Sequence, residues 1–456
     1  MPHVPSKFLA RMEKLLPRDQ YAAFCAALNA PAVRALRINT VKAEADRVLP
    51  LLPFAATPLP FAENAFYATD DKVGALPCHH AGMIYMQDPS AISAVAALEV
   101  KKGLRVLDLC AAPGGKSTQL AAAIGEAGVL VSNEYVPARC RILQGNVERM
   151  GLTNTVVTNL SADALADFYG DLFDLVVVDA PCSGEGMLRK YEVASEVWSE
   201  ENVRLCAARQ REILESAVRC VAPGGKLLYS TCTFSPEENE QNVAWLLDTY
   251  PEFALIPVRA EVAAVTADGI SVNGRDLSLC RRFYPHLSPG EGQFLALLAR
   301  RTDAEAAPKK PHPLQTLGKN DAAAVQKFLQ DTLLVPPAGD LVLLRDTVYL
   351  APRFPIPAKG VFAAGVAVGE LVKGRVVPHH HFFSAFGKRF CRKLDLCATD
   401  PRTQKYLRGE ELDCPELADL SNGYACVFFE GAPLGGGKTV DARLKNHYPK
   451  GLRNKS

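Results

Sequence analysis

Between residues 80 and 300, short apolar runs alternate with helical patterns, and this alternation constrains the chain more than any other feature. The runs Arg105–Leu109, Val129–Asn133, Thr155–Thr158, Phe173–Asp179 and Lys226–Thr231 are each bounded by turn residues, as buried strands are. Helical periodicity fills the gaps at Ser117–Ile124, Pro137–Met150 and Asn202–Val221. Strand and helix in strict succession are the signature of a parallel sheet covered by helices, so the expected fold class is α/β and Rossmann-like.

The flanks read differently. Residues 1–80 mix a helical signal at Gln20–Leu28 with an extended run at Leu36–Thr40 and prolines at 50, 53, 58 and 60, which suggests a small α+β N-terminal extension. The repeating unit is assigned to 81–300, and the Ala-, Pro- and Lys-rich segment at 301–315 reads as a linker. One helix, Asp321–Leu334, then leads into short strands broken by Gly and Pro. Residues 316–380 are expected as an intermediate C-terminal domain, and 381–456 as a further β-rich domain.

With 48% hydrophobic and 22% charged residues in a chain of 456, several cores can be buried. No apolar run approaches the roughly 18 residues of a membrane span, and Met1–Arg18 lacks a signal-peptide core. Thirteen cysteines, none in a C-x2-C pair, point to reduced thiols and a cytoplasmic location rather than to disulfides or zinc. The net charge of +1 hides an asymmetry: residues 1–300 carry 28 Lys/Arg against 34 Asp/Glu, and residues 301–456 carry 23 against 16. A net of −6 followed by a net of +7 suggests a near-neutral module joined to one that can face phosphates.

The first strand of the repeating unit runs into Cys110-Ala-Ala-Pro-Gly-Gly-Lys-Ser-Thr118 and then a helix, the turn at which nucleotide-like ligands meet the backbone of doubly wound folds. Glycines 114 and 115 clear that approach, and the helix N-terminus offers free N–H groups. A P-loop would need glycine at the position of Cys110, and a nicotinamide site would need G-x-G-x-x-G, which is absent. S-adenosylmethionine, whose sulfonium needs no phosphate cradle, is the favoured ligand. Glu134, at the end of the second strand, is placed to accept ribose hydroxyls, and Asp163, after the third, to take the adenine amino group.

Two thiols stand at the carboxyl ends of the fourth and fifth strands, in Asp179-Ala-Pro-Cys182-Ser-Gly-Glu-Gly and Ser230-Thr-Cys232-Thr. Thiols at that edge suit one chemistry well. Carbon 5 of cytosine is too weak a nucleophile to attack a sulfonium methyl, but thiolate addition at carbon 6 makes the ring an enamine whose carbon 5 attacks. An acid at the N3 edge, where Asp179 is placed, stabilises the adduct, and a base then removes the carbon 5 proton so that the thiolate can leave.

Together with Arg37-Ile-Asn-Thr, Gln87-Asp-Pro-Ser-Ala and Gly290-Glu-Gly-Gln-Phe, these motifs resemble the Nop2/Sun family of RNA cytosine-5 methyltransferases over roughly residues 1–300. The resemblance implies a class I methyltransferase domain using S-adenosylmethionine. It further implies Cys232 as nucleophile, Cys182 in product release, and Asp179 against the target base with Lys116 reaching it. Carried over residue by residue, cofactor contacts fall on Cys110, Ala111, Ala112, Pro113, Gly114, Gly115, Lys116, Glu134, Asp163 and Asp179. DNA cytosine-5 methyltransferases attack with the Pro-Cys cysteine instead, so the two thiols discriminate between the chemistries.

Two late segments, His379–Lys393 and Arg443–Arg453, combine basic and aromatic residues of the kind that contact RNA phosphates and unstacked bases. Three successive histidines, His379 to His381, would point to alternate faces of a strand, so no metal site is expected. The run Gly435–Thr439 is no P-loop, because Ala432 stands where the first glycine is required. The order Gly423-Tyr424, Pro433–Lys438 and Lys445–Arg453 resembles the PUA-like RNA-binding domain of bacterial small-subunit ribosomal RNA methyltransferases of the same family. That implies small-subunit (16S) ribosomal RNA near the decoding region as substrate and a monomeric enzyme. Transfer RNA is the alternative target, and a non-catalytic ribosome assembly factor the rival of another class.

Overall fold

The computed structural model describes residues 4–454 apart from 71, 191, 304–313, 315 and 421, with backbone only at 192–194. Most of the expected linker therefore lies outside the described residues. Each of the five apolar runs forms a strand: β1 (Arg105–Asp108), β2 (Val129–Asn133), β3 (Thr155–Thr158), β4 (Phe173–Asp179) and β5 (Val221–Thr231). They pair in parallel in the order β3-β2-β1-β4-β5. Helices α1 (Gly115–Ile124), α2 (Pro137–Met150) and α3 (Glu200–Val218) connect them, as their periodicity predicts. Helical cover on both faces explains why the strands read as continuous apolar runs rather than as alternating ones. The strand order reverses between β1 and β4, so their carboxyl ends open a crevice there, and the Rossmann-like α/β expectation holds. β6 (Gln293–Arg300) closes on β5 in the antiparallel sense, with Leu295 opposite Ser230.

The sheet does not end at residue 300. A strand from the segment expected as a separate intermediate domain, β7 (Val361–Ala364), pairs antiparallel with β3. With it Tyr349, Ala351 and Ile356 join the same hydrophobic core as β1 to β5. The partners lie some two hundred positions apart, and a four-residue apolar run carries no local mark of which sheet it will join.

The N-terminal extension binds the other parts together. Phe8, Met12 and Phe24, on helices Ser6–Leu15 and Arg18–Asn29, pack against Trp198, Phe234 and Tyr284 of the α/β unit. The extended run forms strand Arg34–Ile38, whose Leu36 and Ile38 share a core with Leu394, Tyr406 and Leu434 of the C-terminal region. Lys42 is buried at this junction and donates to the carbonyls of Ser384 and Pro433; burial pulls its ammonium down to about 7. Among the described residues, no helix is long and apolar enough to cross a membrane.

The segment His379–Lys393 corrects the sequence reading. Its histidines are not on a strand: His380–Phe386 is a helix, and Phe382, Phe383, Phe386 and Phe390 are core residues, unavailable for stacking on bases. The glycine run explains the packing. A Cβ on Gly436 would lie 2.0 Å from Phe383, so glycine there lets the helix ring rest directly on the strand Ala432–Val440. Lys388 and Lys393 remain exposed.

Burial lowers the imidazoles of His380 and His381 to about 3. In the unfolded chain both titrate near about 6.5, so below that value the unfolded state binds more protons. Their contribution is fully present above about pH 6.5 and is lost as pH falls toward 3, at up to about 2.7 kcal/mol per pH unit for the pair. Urea unfolding at pH 6 and pH 5 should therefore show a steep loss of stability, and the double variant H380Q/H381Q a slope smaller by about that amount.

Candidate active site

The crevice at the strand reversal is a cleft of about 570 Å³ whose lining includes Asp108, Cys110, Lys116, Asp179, Cys232 and Gln293. β1 delivers Asp108, and the chain then crosses the sheet edge in a loop pinned by Leu109 N–H to the Val177 carbonyl and Ala111 N–H to the Asn133 carbonyl, both within 2.9 Å. Ala111, Ala112, Pro113 and Gly115 present this loop to the cleft. Gly114 has φ +111°, and a Cβ on it would press within 3.1 Å of Leu143, so the turn into α1 needs glycine. A Cβ on Gly115 would meet the Gln87 amide at 3.1 Å.

That turn is clamped from outside by the N-terminal extension. Arg37, buried on its strand, donates to Gln87 Oε1 at 2.7 Å, to the Gly115 carbonyl at 2.7 Å and to Thr118 Oγ1 at 2.8 Å. Asn39 ties Gly82 to Met150 through their carbonyls, at 2.8 and 2.9 Å. The Arg-Ile-Asn-Thr and Gln-Asp-Pro-Ser motifs are thus parts of a brace around the loop.

Of the four acids at these strand ends, Asp108 and Asp179 line the cleft. Asp108 is fully buried; Ser117 donates to its Oδ2 at 2.6 Å, while Oδ1 has no partner. Burial pushes its carboxyl up to about 7. Glu134 is buried behind the loop, accepting the Val136 N–H at 2.8 Å and facing Arg139 at 3.4 Å; Arg139 also donates to the Ala112 carbonyl. Asp179 accepts Lys116 Nζ at 2.7 Å, Ser230 Oγ at 2.7 Å and Gln293 Nε2 at 3.1 Å. Burial alone would lower the Lys116 pKa, but the Asp179 carboxylate outweighs it and holds the ammonium above its ordinary value. Asp163 stands apart: it is exposed in the first turn of its helix and ion-paired with Arg219 at 2.6 Å.

The two thiols meet, with Sγ of Cys182 and Cys232 3.0 Å apart. Cys232 reaches the cleft lining and Cys182 does not. The hydrogen bond to Cys232, with burial, raises Cys182 well above the usual thiol range, so Cys182 rests as a neutral thiol. Glu291 of the Gly-Glu-Gly-Gln motif pairs with Arg189 at 2.5 Å, fixing the loop beyond Cys182 to the start of β6. Sequence reasoning did not single out Asp108, Glu185 or Glu238. Asp108 had a signal, an acid closing an apolar strand at the ligand edge; the two glutamates sit in polar runs that look solvated. Among the described residues, no group of three or more His, Cys, Asp or Glu is arranged to hold a metal.

Comparison with known proteins covers nearly the whole chain. Three family models match: the 16S rRNA methyltransferase RsmB/F at 95–299, the N-terminal domain of 16S rRNA methyltransferase RsmF at 4–89, and the methyltransferase RsmF PUA domain at 393–454. The ribosomal RNA small subunit methyltransferase F of Klebsiella pneumoniae is 33% identical over 99% of this chain and 96% of its own length. That of Vibrio vulnificus is 31% identical over 99% and 98%. A solved methyltransferase homolog from Pyrococcus horikoshii is 27% identical, covering 65% of this chain and 95% of its own, with TM-score 0.57. NSun6 from the same organism, at 19% identity over 66% of this chain and all of its own, shares the fold with TM-score 0.55.

The brace gives a direct test. Arg37→Lys keeps the charge but cannot make the three-way fork, and should cost about 2–4 kcal/mol in urea unfolding, as the loss of a buried charged network does. A change under about 0.5 kcal/mol would mean the loop does not depend on it.

Proposed function

Because the chain belongs to the RsmB/F family of 16S rRNA methyltransferases, we propose that it methylates carbon 5 of a cytosine in small-subunit ribosomal RNA through a Cys232 adduct. The observation that carries the reading is the thiol pair: Cys232 opens into the cleft beside Asp179, and Cys182 lies behind it at 3.0 Å. A transfer RNA target remains the second reading of the same site.

S-adenosylmethionine supplies an electrophilic methyl group when bound. The cleft suits it. The unpartnered Oδ1 of Asp108 favours a cationic group nearby, and the Gly114–Gly115 turn leaves the backbone bare for the nucleoside. Glu134 is proposed to accept the ribose hydroxyls, with Cys110 to Pro113 forming the wall. Asp163 faces Arg219, so its proposed contact with adenine requires that ion pair to open.

The chain's own residues then act on the base. Cys232 gives up its proton to solvent in the open cleft and adds as the thiolate to carbon 6, leaving negative charge on the ring toward N3. The Lys116 ammonium, held cationic at 2.7 Å from Asp179, is the proton source: as charge develops at N3 its proton passes through the Asp179 carboxylate to the ring, leaving Lys116 neutral until the adduct collapses. After methyl transfer carbon 5 carries both hydrogen and methyl. Removal of that proton restores the double bond and expels Cys232 as a thiolate; the step is assigned to Cys182, which loses its own proton to solvent once Cys232 is bonded to the ring and no longer raises it, and then takes the proton from carbon 5. The RNA is proposed to be held by the basic C-terminal region, where Lys438 stands over the Tyr424 ring at 6.0 Å and pairs across the strands with Lys445. A monomer in which all parts share continuous cores fits this role.

Bisulfite sequencing of small-subunit ribosomal RNA from cells with and without the protein tests the reading: one cytosine should lose its protection when the gene is removed. If protection is unchanged in ribosomal RNA and lost in a transfer RNA, the second reading takes its place. On denaturing gels, Cys182→Ala should accumulate a protein–RNA adduct that Cys232→Ala does not form. A band that persists without Cys232 and requires Cys182 would reverse the roles. Glu134→Ala should weaken S-adenosylmethionine binding in calorimetry by about 1.5–3 kcal/mol with RNA affinity unchanged.

A further inference from the structure

Two buried glutamates lie crosswise beneath the thiols. Glu185 belongs to the Cys182 loop but is bonded by the Cys232 loop: Thr233 Oγ1 at 2.9 Å, Phe234 N–H at 3.0 Å and Ser235 Oγ at 2.7 Å. Trp198 Nε1 adds a fourth donor at 3.0 Å. Glu238 follows the Cys232 loop but is bonded by the Cys182 loop: it accepts the Ser183 N–H at 3.0 Å and Ser183 Oγ, with Gln210 Nε2 at 2.8 Å. Each thiol's loop is therefore held by the carboxyl group of the other. Between them, Ser183 Oγ and Thr233 Oγ1 touch at 2.9 Å.

Counting hydrogens along this chain decides its protonation. Glu238–Ser183, Ser183–Thr233 and Thr233–Glu185 are three oxygen-to-oxygen contacts, and each requires a hydrogen. The two hydroxyls supply two. Without a third, the contact between Ser183 and Thr233 would set lone pairs against each other in a site where Ser183, Thr233, Glu185 and Glu238 are all buried. Glu185 is the poorer home for the extra proton, because Trp198 Nε1, Phe234 N–H and Ser235 Oγ between them donate to both of its oxygens and favour the anion. Glu238 Oε2 accepts both N–H groups, and Oε1, against Ser183 Oγ, is the position left.

We propose that Glu238 is a positioning residue that works in its protonated form, donating from Oε1 through Ser183 and Thr233 to Glu185 and so locking the Cys182 and Cys232 loops together. The proposal rests on the reading of these thiols given under Proposed function. When Glu238 loses its proton to solvent, the chain is one hydrogen short and the lock loosens. Burial pushes Glu238 up to about 7, which puts this change near neutral pH. The titratable groups that face it are Glu185 and Cys182 from one loop, Cys206 from α3 and Tyr229 from β5. Each of these is an anion when charged, so each favours the proton on Glu238. The lock is present below about pH 7 and weakens above it.

The test measures kcat from pH 6 to 9 for wild type, E238Q, E238A and S183A, with S-adenosylmethionine calorimetry as a check on folding. Glutamine places a permanent donor at the Oε1 position. E238A and S183A should lower kcat at least tenfold with cofactor affinity kept. Wild-type kcat should decline above about pH 7, and E238Q should restore most of the loss and abolish that decline. Infrared titration reads the proton without catalysis: a carboxylic acid band present at pH 6 should vanish by pH 9, be absent in E238Q and shift in S183A. Asp108, pushed to a similar range, gives a second band that S183A leaves in place. An alkaline limb unchanged in E238Q, or infrared spectra of E238Q and S183A in which no acid band is lost or shifted relative to wild type, overturns the proposal. If wild type methylates no RNA, the reading of the thiols fails, while the infrared bands still judge the proton.

Discussion

The parallel pairing of β4 with β5 sets Asp179 opposite Ser230, and the site depends on that register. Cys182 lies three residues beyond the first and Cys232 two beyond the second, so both thiols leave the sheet at one edge and meet at 3.0 Å. A slip of one residue would turn every side chain of the strand to the opposite face and separate them. The same register brings Ser230 Oγ to Asp179, and β6, paired on the far side of β5, brings Gln293 to the same carboxylate. One acid thus reports the alignment of β4, β5, β6 and, through Lys116, the start of α1.

Around this edge the chain is braced rather than strung out in modules. Residues before 80 supply the fork of Arg37 on the turn into α1 and the aromatic packing of Phe24 on Phe234, with ring centres 5.3 Å apart. Phe234 is two residues beyond Cys232, so the N-terminal helices support the Cys232 loop from behind. The C-terminal region reaches back through β7 and through Lys42, which joins the carbonyls of Ser384 and Pro433. The proposed chemistry, which presents one base of a large RNA to a fixed thiol, gains from such rigidity, because misplacement by about 1 Å can cost roughly a hundredfold in rate.

Much of this was legible in the sequence, because the catalytic sheet is buried on both faces and its strands stand out as apolar runs between turn residues. The site was legible for a related reason: ligands bind at strand ends, and the motifs Cys110–Lys116, Asp179–Cys182 and Thr231–Thr233 all fall there. What escaped was set by distant packing. β7 is an ordinary four-residue run, and the helix His380–Phe386 looked like an RNA-binding stretch because its phenylalanines and histidines sit beside lysines. The segment Pro236-Glu-Glu-Asn-Glu240 has the composition of a solvated turn, yet Glu238, Asn239 and Glu240 are fully buried, Glu240 against Arg282. No local pattern distinguishes a buried acid whose donors come from fifty residues away.

The account stands on Cys232 being the atom that bonds the base while Cys182 waits behind it. Substrate RNA carrying 5-fluorocytosine tests this directly, since fluorine at carbon 5 cannot leave as a proton does and the adduct is held. After incubation with S-adenosylmethionine, nuclease and protease digestion, mass spectrometry of the wild-type protein should find the methylated nucleotide on the peptide containing Cys232 and nowhere else. The same nucleotide on the peptide containing Cys182 would contradict the assignment and with it the order of events proposed for this site.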